Sequence, residues 1–313
     1  MWVDHFGTDI EVRTPAKLNL YFRVLGRRDD GYHEIETLMV PISLFDSLRF
    51  RATPAATEGA GAISLHCRWA SPSQSSPLPE TQENLVYRAI ELLRHRSGAV
   101  QGATVHLVKR IPLESGLGGG SSDAAAALVA ANLGWKLGWK RERLASVGAE
   151  VGSDVPFFLY GGPAICRGRG ERVEPVACRG GMQAVVVKPP VGLSTKEVYA
   201  RCRPGDSTGS AADLRAALSR GSLNRAAKTL RNDLQGVAAE LSPWVGRLAD
   251  AFSRIGCMAH QLTGSGSCYF GLFYSAAAAR CAAARLAARR WGRVYIVRQI
   301  ASQVRPRMSQ SPC

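Results

Sequence analysis

Residues 112–123 read P-L-E-S-G-L-G-G-G-S-S-D and run directly into the alanine-rich stretch 124–131. An apolar alternating run, Val105-His106-Leu107-Val108, precedes Pro112, and the alanines form helix readily. The glycines therefore occupy a loop that opens onto a helix N-terminus. Free backbone N–H groups and the helix dipole favour an anion there. Gly116, Gly118, Gly119 and Gly120 allow positive φ and a close approach of ligand to backbone. The chemistry this suits is phosphate binding, and the competing reading is a glycine-rich turn without a ligand.

Neither of two familiar phosphate loops fits. The pattern G-x-x-x-x-G-K-[ST] would place its second glycine at Ser121, and no lysine lies between Lys109 and Lys136. The dinucleotide pattern G-x-G-x-x-G also requires glycine at Ser121. Three further segments combine small residues with reactive ones. Pro15-Ala16-Lys17-Leu18-Asn19-Leu20 puts a lysine in an apolar strand, where an unpaired ammonium is costly; an outward-facing lysine is the alternative. In Gly152-Ser153-Asp154-Val155-Pro156-Phe157-Phe158, Asp154 is placed to cap a short helix begun by Pro156. Leu262-Thr263-Gly264-Ser265-Gly266-Ser267-Cys268 reads as a tight turn between strands.

The elements that must position these segments follow from periodicity. Residues 10–25 read as a strand with a polar insert, 35–51 as further strands, and 84–96 and 141–150 as helices. Residues 52–62 look like a hairpin connection and 71–82 like a loose surface loop. Residues 163–177 form a strand pair, and Arg179-Gly180-Gly181 is a domain junction. Beyond it lie a strand from Met182, a mostly helical span over 195–255, and strands at 257–261 and 268–273. A helix capped by Ser275 runs to about Arg290, a last strand covers 293–300, and a polar tail ends the chain. The predicted division is 1–180, 181–302 and 303–313. The mixed order of strands and helices predicts an α+β fold rather than a doubly wound one.

Composition excludes some classes. The chain has 313 residues, enough for two domains or one large one, and its 46% hydrophobic content supports a substantial core. No apolar run approaches a membrane span. The segment 1–13 carries Asp4, Asp9 and Glu11 without an apolar stretch, so no secretory signal is expected and the cytoplasm is the default. The eight cysteines include no C-x-x-C pair, so buried free thiols are expected rather than a zinc site. The formal charge of +15 suits nucleic acid, an anionic surface or a polyanionic small substrate. Its arginines are scattered, densest over 280–307, and no nucleic-acid-binding module accompanies them.

Taken together, the segments resemble the GHMP kinases, named for galactokinase, homoserine kinase, mevalonate kinase and phosphomevalonate kinase. The resemblance spans about 14–300. It rests on P-A-K-L-N-L at 15–20, R-D-D-G-Y-H at 28–33, G-L-G-G-G-S-S at 116–122, G-S-D-V-P-F-F at 152–158 and L-T-G-S-G at 262–266. Within that superfamily, the D-G-Y-H segment with the triple glycine is most similar to the branch acting on 4-diphosphocytidyl-2-C-methyl-D-erythritol. The resemblance implies a two-domain fold, with a ribosomal-protein-like N-terminal domain, a ferredoxin-like C-terminal domain and the site in the cleft between them. It implies ATP and Mg²⁺, with phosphorylation of the substrate's 2-hydroxyl.

Site roles follow from the same resemblance. Lys17 and Asp154 match a catalytic pair. Asn84 matches a residue near the adenine. Pro112, Leu113, Glu114, Ser115, Gly116, Leu117, Gly118, Gly119, Gly120, Ser121 and Ser122 match the loop around the ATP phosphates. Asn19, Tyr32, His33, Thr195 and Tyr199 match substrate-binding positions, with Tyr32 and Tyr199 as two aromatic faces for cytosine and His33 at its edge. Thr263, Gly264, Ser265 and Gly266 match the C-terminal glycine turn. Ser121 or Ser122 is the nearest hard ligand for magnesium, with no dedicated metal site. Glu114 and Ser115 stand where the family can have glycine, so a stiffer loop start is expected. Arg167 and Arg169 make the Gly168–Gly170 turn unusually basic. A small-molecule partner is expected, without nucleic acid or membrane, in a monomer or homodimer. The alternatives are a GHMP kinase for a sugar, homoserine or mevalonate, and a basic nucleic-acid-binding protein.

Overall fold

The computed structural model describes residues 1–57, 59–72, 74, 76–179, 181–203 and 210–300. The expected tail at 303–313 lies outside them, as do Arg305 and Arg307 of the basic stretch and Gly180 of the expected junction.

The first sheet starts with β1 (Trp2–Phe6), β2 (Asp9–Arg27) and β3 (His33–Thr53), each antiparallel to the next. The polar insert expected in the first strand does not interrupt β2. It coincides with register shifts between Pro15 and Ala16 and between Asn19 and Tyr21. Bulges tolerate a proline that cannot donate to the ladder, and they re-aim the side chains between them. Lys17 falls between the two shifts and is 3% exposed, so the outward-facing reading does not hold.

β4 (Ile63–Trp69), α1 (Leu85–Ser97) and β5 (Gly102–Lys109) follow. The hairpin expected from 52–62 is absent. β5 takes the edge of β3, and β4 lies outside β5 in parallel register. The chain then forms α2 (Gly119–Gly134), α3 (Arg141–Val151), α4 (Val155–Tyr160), β6 (Ala164–Gly168) and β7 (Arg172–Pro175). β6 pairs with the first half of β3, and β7 pairs with β6. α2 is buried on nearly every side, among Val12, Leu48, Phe50 and Val105 of the sheet and Leu93 and Phe157 of neighbouring helices. Alanine allows this close approach. At Gly134 even one carbon is excluded, since a Cβ would lie 2.5 Å from the Phe50 ring.

The second sheet begins with β8 (Gln183–Lys188). α5 (Thr195–Arg201), α6 (Ala211–Ser219), α7 (Leu223–Lys228), β9 (Arg231–Asn232), α8 (Gln235–Leu241) and α9 (Pro243–Ser253) bear out the helical span. β9 leaves this half to pair in parallel with β2. β10 (Ala259–Leu262), β11 (Tyr269–Phe273), α10 (Ala276–Ala287) and β12 (Arg293–Arg298) complete an antiparallel sheet of order β10-β11-β8-β12. Ser275 caps α10 by accepting from Ala278 N at 3.1 Å, as expected, although the helix ends three residues early. The sheets share a core in which Leu18, Leu38 and Ile42 of the first meet Val186, Phe270 and Val297 of the second.

A buried ion group locks the first sheet to α2. Lys109 Nζ, 2% exposed, lies 2.5 Å from both Asp46 Oδ2 and Asp123 Oδ2. Burial opposes the lysine's charge, but Asp123 and Asp46 outweigh it and hold the ammonium protonated. Asp46 also accepts from the backbone N–H groups of Arg110 and Ile111, the latter at 2.9 Å. Breaking a buried ion pair by removing one partner costs about 3–5 kcal/mol. Lys109→Met should therefore lower the unfolding free energy by about that much in urea denaturation. A loss below about 1 kcal/mol would mean that the carboxylates find compensation elsewhere.

Candidate active site

The glycine loop expected to hold phosphate is built by the start of α2. The helix begins at Gly119, inside the glycine run, and Gly118 precedes it at φ 73°. A side chain at Gly118 is excluded twice, by this left-handed backbone and by space. A Cβ would lie 2.9 Å from the Phe158 ring and 3.1 Å from Lys17 Cγ. The first N–H groups of α2 have no acceptor within the helix, and its first turn carries no acidic residue. Glu114 holds φ 47°, a conformation glycine would adopt freely, and its carbonyl accepts from Ser267 Oγ at 3.1 Å. The expected stiff loop start is thus a strained residue tied to the C-terminal turn.

Pro112–Gly116 and Gly118–Ser121 line one wall of a cavity of about 1180 Å³. Two loop residues serve otherwise. Leu117 packs in the shared core and its carbonyl accepts from Lys17 N at 3.0 Å. Ser122 is buried, donating to Pro15 O at 2.6 Å and lying 2.5 Å from Thr14 Oγ1. Its hydroxyl is committed to β2, which removes it as a magnesium ligand. Ser121 is half-buried and lines the cavity.

Lys17 and Asp154 meet in the same cavity, Nζ to Oδ2 at 3.6 Å. The capping role expected for Asp154 is not observed. It precedes α4 without a side-chain cap bond, and its carboxylate faces Lys17. Burial pushes the Lys17 pKa below the usual lysine value, and the Asp154 charge only partly offsets this.

Asn19 departs from its expected role. It is 1% exposed and does not line the cavity. Its Oδ1 accepts from Lys17 Nζ at 2.5 Å and from Thr263 Oγ1 at 3.2 Å, while Nδ2 donates to Thr37 Oγ1 at 2.8 Å. Its side-chain polar atoms are spent on Lys17, on the C-terminal turn and on Thr37 of β3. Asn84 is corrected in the same way. Its Oδ1 accepts from Val86 N at 2.9 Å and its Nδ2 donates to Pro79 O at 2.7 Å, so it caps α1, and Pro79 and Leu85 line the cavity instead. In the C-terminal turn, Gly264 and Ser265 line the cavity; Thr263 and Gly266 lie behind them.

The far end of the cavity is aromatic. His33 and Tyr199 lie 5.2 Å apart between ring centroids, tilted by 37°. Phe22 backs Tyr199 at 6.4 Å. Tyr32 is 52% exposed, with the Arg169 guanidinium 4.7 Å from its ring centroid. The expected Tyr32–Tyr199 pair is therefore replaced, in this arrangement, by a His33–Tyr199 pair with Tyr32 at the rim. Burial, and then Arg27, push the His33 pKa below the usual histidine value, which leaves a neutral ring able to donate and accept at neutral pH. Thr195 also lines the cavity, with its Oγ1 2.9 Å from Ser265 Oγ.

The GHMP kinases N terminal domain matches residues 84–162, and the GHMP kinases C terminal domain matches 214–290. The 4-diphosphocytidyl-2-C-methyl-D-erythritol kinase of Pelotomaculum thermopropionicum is 44% identical, over 86% of this chain and 91% of its own length. The chain belongs to this branch of the GHMP kinases. The enzyme of the same name from Bacillus cytotoxicus is 38% identical over 84% of this chain and 88% of its own length. A crystal structure of 4-(cytidine 5'-diphospho)-2C-methyl-D-erythritol kinase superposes with a TM-score of 0.75 at 36% identity, covering 92% of this chain and 98% of the other. Homoserine kinase from Cytophaga hutchinsonii, at 19% identity and a TM-score of 0.73 over 97% and 98% of the two chains, shares the fold. The two-domain α+β expectation holds for this kinase.

Sequence reasoning missed the Asn19–Thr37–Thr263 network and several cavity-lining residues, among them Phe22, Ile35, Pro79 and Leu85. Spacing carries no signal for the network, whose members lie up to 244 residues apart. The Asn19 assignment has its own test. Asn19→Ala should lower kcat by tenfold or more while leaving the KM of the cytidylyl substrate within about twofold, since it supports Lys17 rather than the ligand. A raised KM with intact kcat would return Asn19 to the binding surface.

A second expectation concerns pH. Lys17 loses its proton at lower pH than a free lysine, so kcat/KM for ATP should fall on the alkaline side below the usual lysine range. Asp154→Asn removes the charge that raises the Lys17 pKa, and the limb of its residual activity should move further down. A limb that stays in place would assign the titration to another group.

Proposed function

We propose that the chain transfers the γ-phosphoryl group of ATP to the 2-hydroxyl of 4-diphosphocytidyl-2-C-methyl-D-erythritol, giving the 2-phosphate and ADP in the non-mevalonate isoprenoid pathway. One observation carries this reading. The Lys17–Asp154 pair sits in a single cavity that has a helix N-terminus on one wall and a His33–Tyr199 aromatic face on another. A base-bearing acceptor needs the aromatic face. Sugars, homoserine and mevalonate carry no aromatic base to match it.

The chemistry divides among the chain's own groups. The N–H groups of Gly119, Gly120 and Ser121 and the α2 dipole receive the ATP phosphates. Asp154 accepts the hydrogen bond of the substrate hydroxyl, orients its oxygen toward the γ-phosphorus and takes its proton as the new P–O bond forms. The bond from the γ-phosphorus to the β-bridging oxygen breaks, and ADP carries that electron pair away. Lys17 stabilises negative charge on the transferring group. A loose transition state of this kind needs positioning and charge neutralisation more than strong activation of the nucleophile.

Magnesium would be carried in by ATP and would be held mainly by its phosphate oxygens. Among the described residues no group of three His, Cys, Asp or Glu is arranged to hold a metal. The donor set fits an ion held mainly by ATP oxygens, with the Ser121 hydroxyl as a further ligand, and the ion would neutralise phosphate charge there. We divide the chain functionally at about residue 181, the glycine loop and Lys17–Asp154 belonging to the first part and Thr195, Tyr199 and the glycine turn to the second. We place the kinase in the cytoplasm; no helix among the described residues is long and apolar enough to cross a membrane.

A coupled assay of ADP release with ATP and the cytidylyl substrate tests the reading. Turnover with it, and none with galactose, homoserine or mevalonate, is expected; the reverse selects another GHMP activity. Tight, salt-dependent nucleic-acid binding without turnover would select the nucleic-acid reading. Asp154→Asn should retain ATP binding and lose roughly 10²–10⁴-fold in kcat. Near wild-type turnover would remove Asp154 from the reaction.

A further inference from the structure

The turn between β6 and β7 carries a cation that the mechanism above does not use. Arg169 lines the cavity, and its guanidinium lies 4.7 Å from the centroid of the Tyr32 ring. Its arginine neighbours are neutralised. Arg167 pairs with Glu36 at 3.1 Å and Glu174 at 2.6 Å, and Arg172 pairs with Glu34 at 2.5 Å. Among the described residues no carboxylate forms an ion pair with Arg169, whose only side-chain hydrogen bond is a long one, Nη2 to Ala149 O at 3.4 Å. The backbone fixes its place, because Arg169 N donates to Glu171 Oε2 at 2.7 Å.

Its position along the cavity matters more than its charge. On one side Arg169 touches Tyr32, at the aromatic end. On the other, the next residue, Gly170, approaches the catalytic end, where a Cβ would lie 3.6 Å from Asp154 Oδ1. Arg169 therefore stands on the wall between the aromatic rings and the reacting carboxylate. On the reading given under Proposed function, the substrate has a fixed chemical order: base, ribose, diphosphate, then the polyol bearing the reacting hydroxyl. With the base at the rings and the hydroxyl at Asp154, the diphosphate must cross the span in between.

We propose that Arg169 is a specificity-determining residue that pairs with the diphosphate of the acceptor substrate. A guanidinium offers forked donors that match phosphate oxygens, and charge-assisted bonds of this kind are stronger than neutral ones. The contact with the Tyr32 ring restrains the guanidinium, so less freedom would be lost when the ligand binds. Arg27 and Lys196 also line the cavity, but both are exposed, whereas Arg169 is half-buried.

The test compares CDP with cytidine as competitors of the cytidylyl substrate at saturating ATP, in the wild type, Arg169→Gln and Arg169→Lys. In the wild type CDP should compete more tightly than cytidine. Arg169→Gln should shrink that preference by tenfold or more and raise the substrate KM by a similar factor. The KM of ATP and kcat should stay within about twofold, which also shows that the variant is folded. Arg169→Lys should recover part of the preference. An unchanged CDP-to-cytidine ratio in Arg169→Gln overturns the assignment, as does an equal loss for both competitors. Loss of the ratio in Arg27→Gln or Lys196→Gln, with Arg169→Gln intact, moves the contact to that residue and also overturns it. Absence of wild-type turnover with the cytidylyl substrate is a separate result, and it strikes the proposed function rather than this contact.

Discussion

An ammonium group removed from water must be surrounded by oxygen atoms, and the active site is organised by that requirement at Lys17. Leaving such a charge unpaired costs several kcal/mol. Its acceptors come from two places: Asn19 on the same strand and Asp154 ahead of α4. Asn19 in turn is fixed by Thr37 on the neighbouring strand and by Thr263 from the second sheet. One buried charge thereby draws β2, β3, the start of α4 and the C-terminal turn into a single polar network. Asp154 alone keeps substantial exposure, with 31% of its side chain accessible. The network is closed everywhere except toward the cavity, where a substrate hydroxyl would arrive.

The phosphate loop depends on a second set of buried polar groups. Lys109 ends the strand before the loop, and Asp123 lies in the first part of the helix after it. Their ion pair joins the two flanks, while Asp46 accepts from the backbone just ahead of Pro112. Ser122 fastens the same helix to Pro15 on β2. The glycines themselves supply conformational freedom, and the flanking groups limit it to one geometry. N–H groups fixed in this way would need little reorganisation if charge moved beside them during phosphoryl transfer.

The parts of the structure legible in the sequence were those with local causes. The glycine loop, the alanine-rich helix and the Ser275 cap follow from residue type and short spacing, and each was found close to its expected place. The strand bearing Lys17 was legible, but the direction of Lys17 was not. Direction depends on two register shifts and on acceptors contributed by distant segments. Asn19 and Asn84 show the same limit. A polar residue within a functional motif has the same signature whether it touches the ligand or supports a neighbour that does. β4 was missed, and 52–62 misread, because a parallel edge strand cannot be told from one arm of a hairpin by composition. The basic turn at Arg167 and Arg169 stood out as a departure, yet only the carboxylates facing Arg167 and Arg172 reveal which arginine remains available.

The tie between the glycine loop and the C-terminal turn includes two main-chain bonds beside the Ser267 Oγ contact to Glu114 O. Ser267 N donates to Glu114 O at 3.4 Å and Cys268 N to Ser115 O at 3.0 Å. Contacts of this kind do not depend on which side chains occupy the four positions. Residue 114 is thus free to change identity while these main-chain bonds, the seam between the two halves, are kept, provided the new residue tolerates a left-handed backbone. Ser115, by contrast, is held by its own hydroxyl, which donates to Pro112 O at 2.7 Å. The seam is a property of chain path, so variation at the mouth of the loop can alter what enters the cavity without separating the halves that form it.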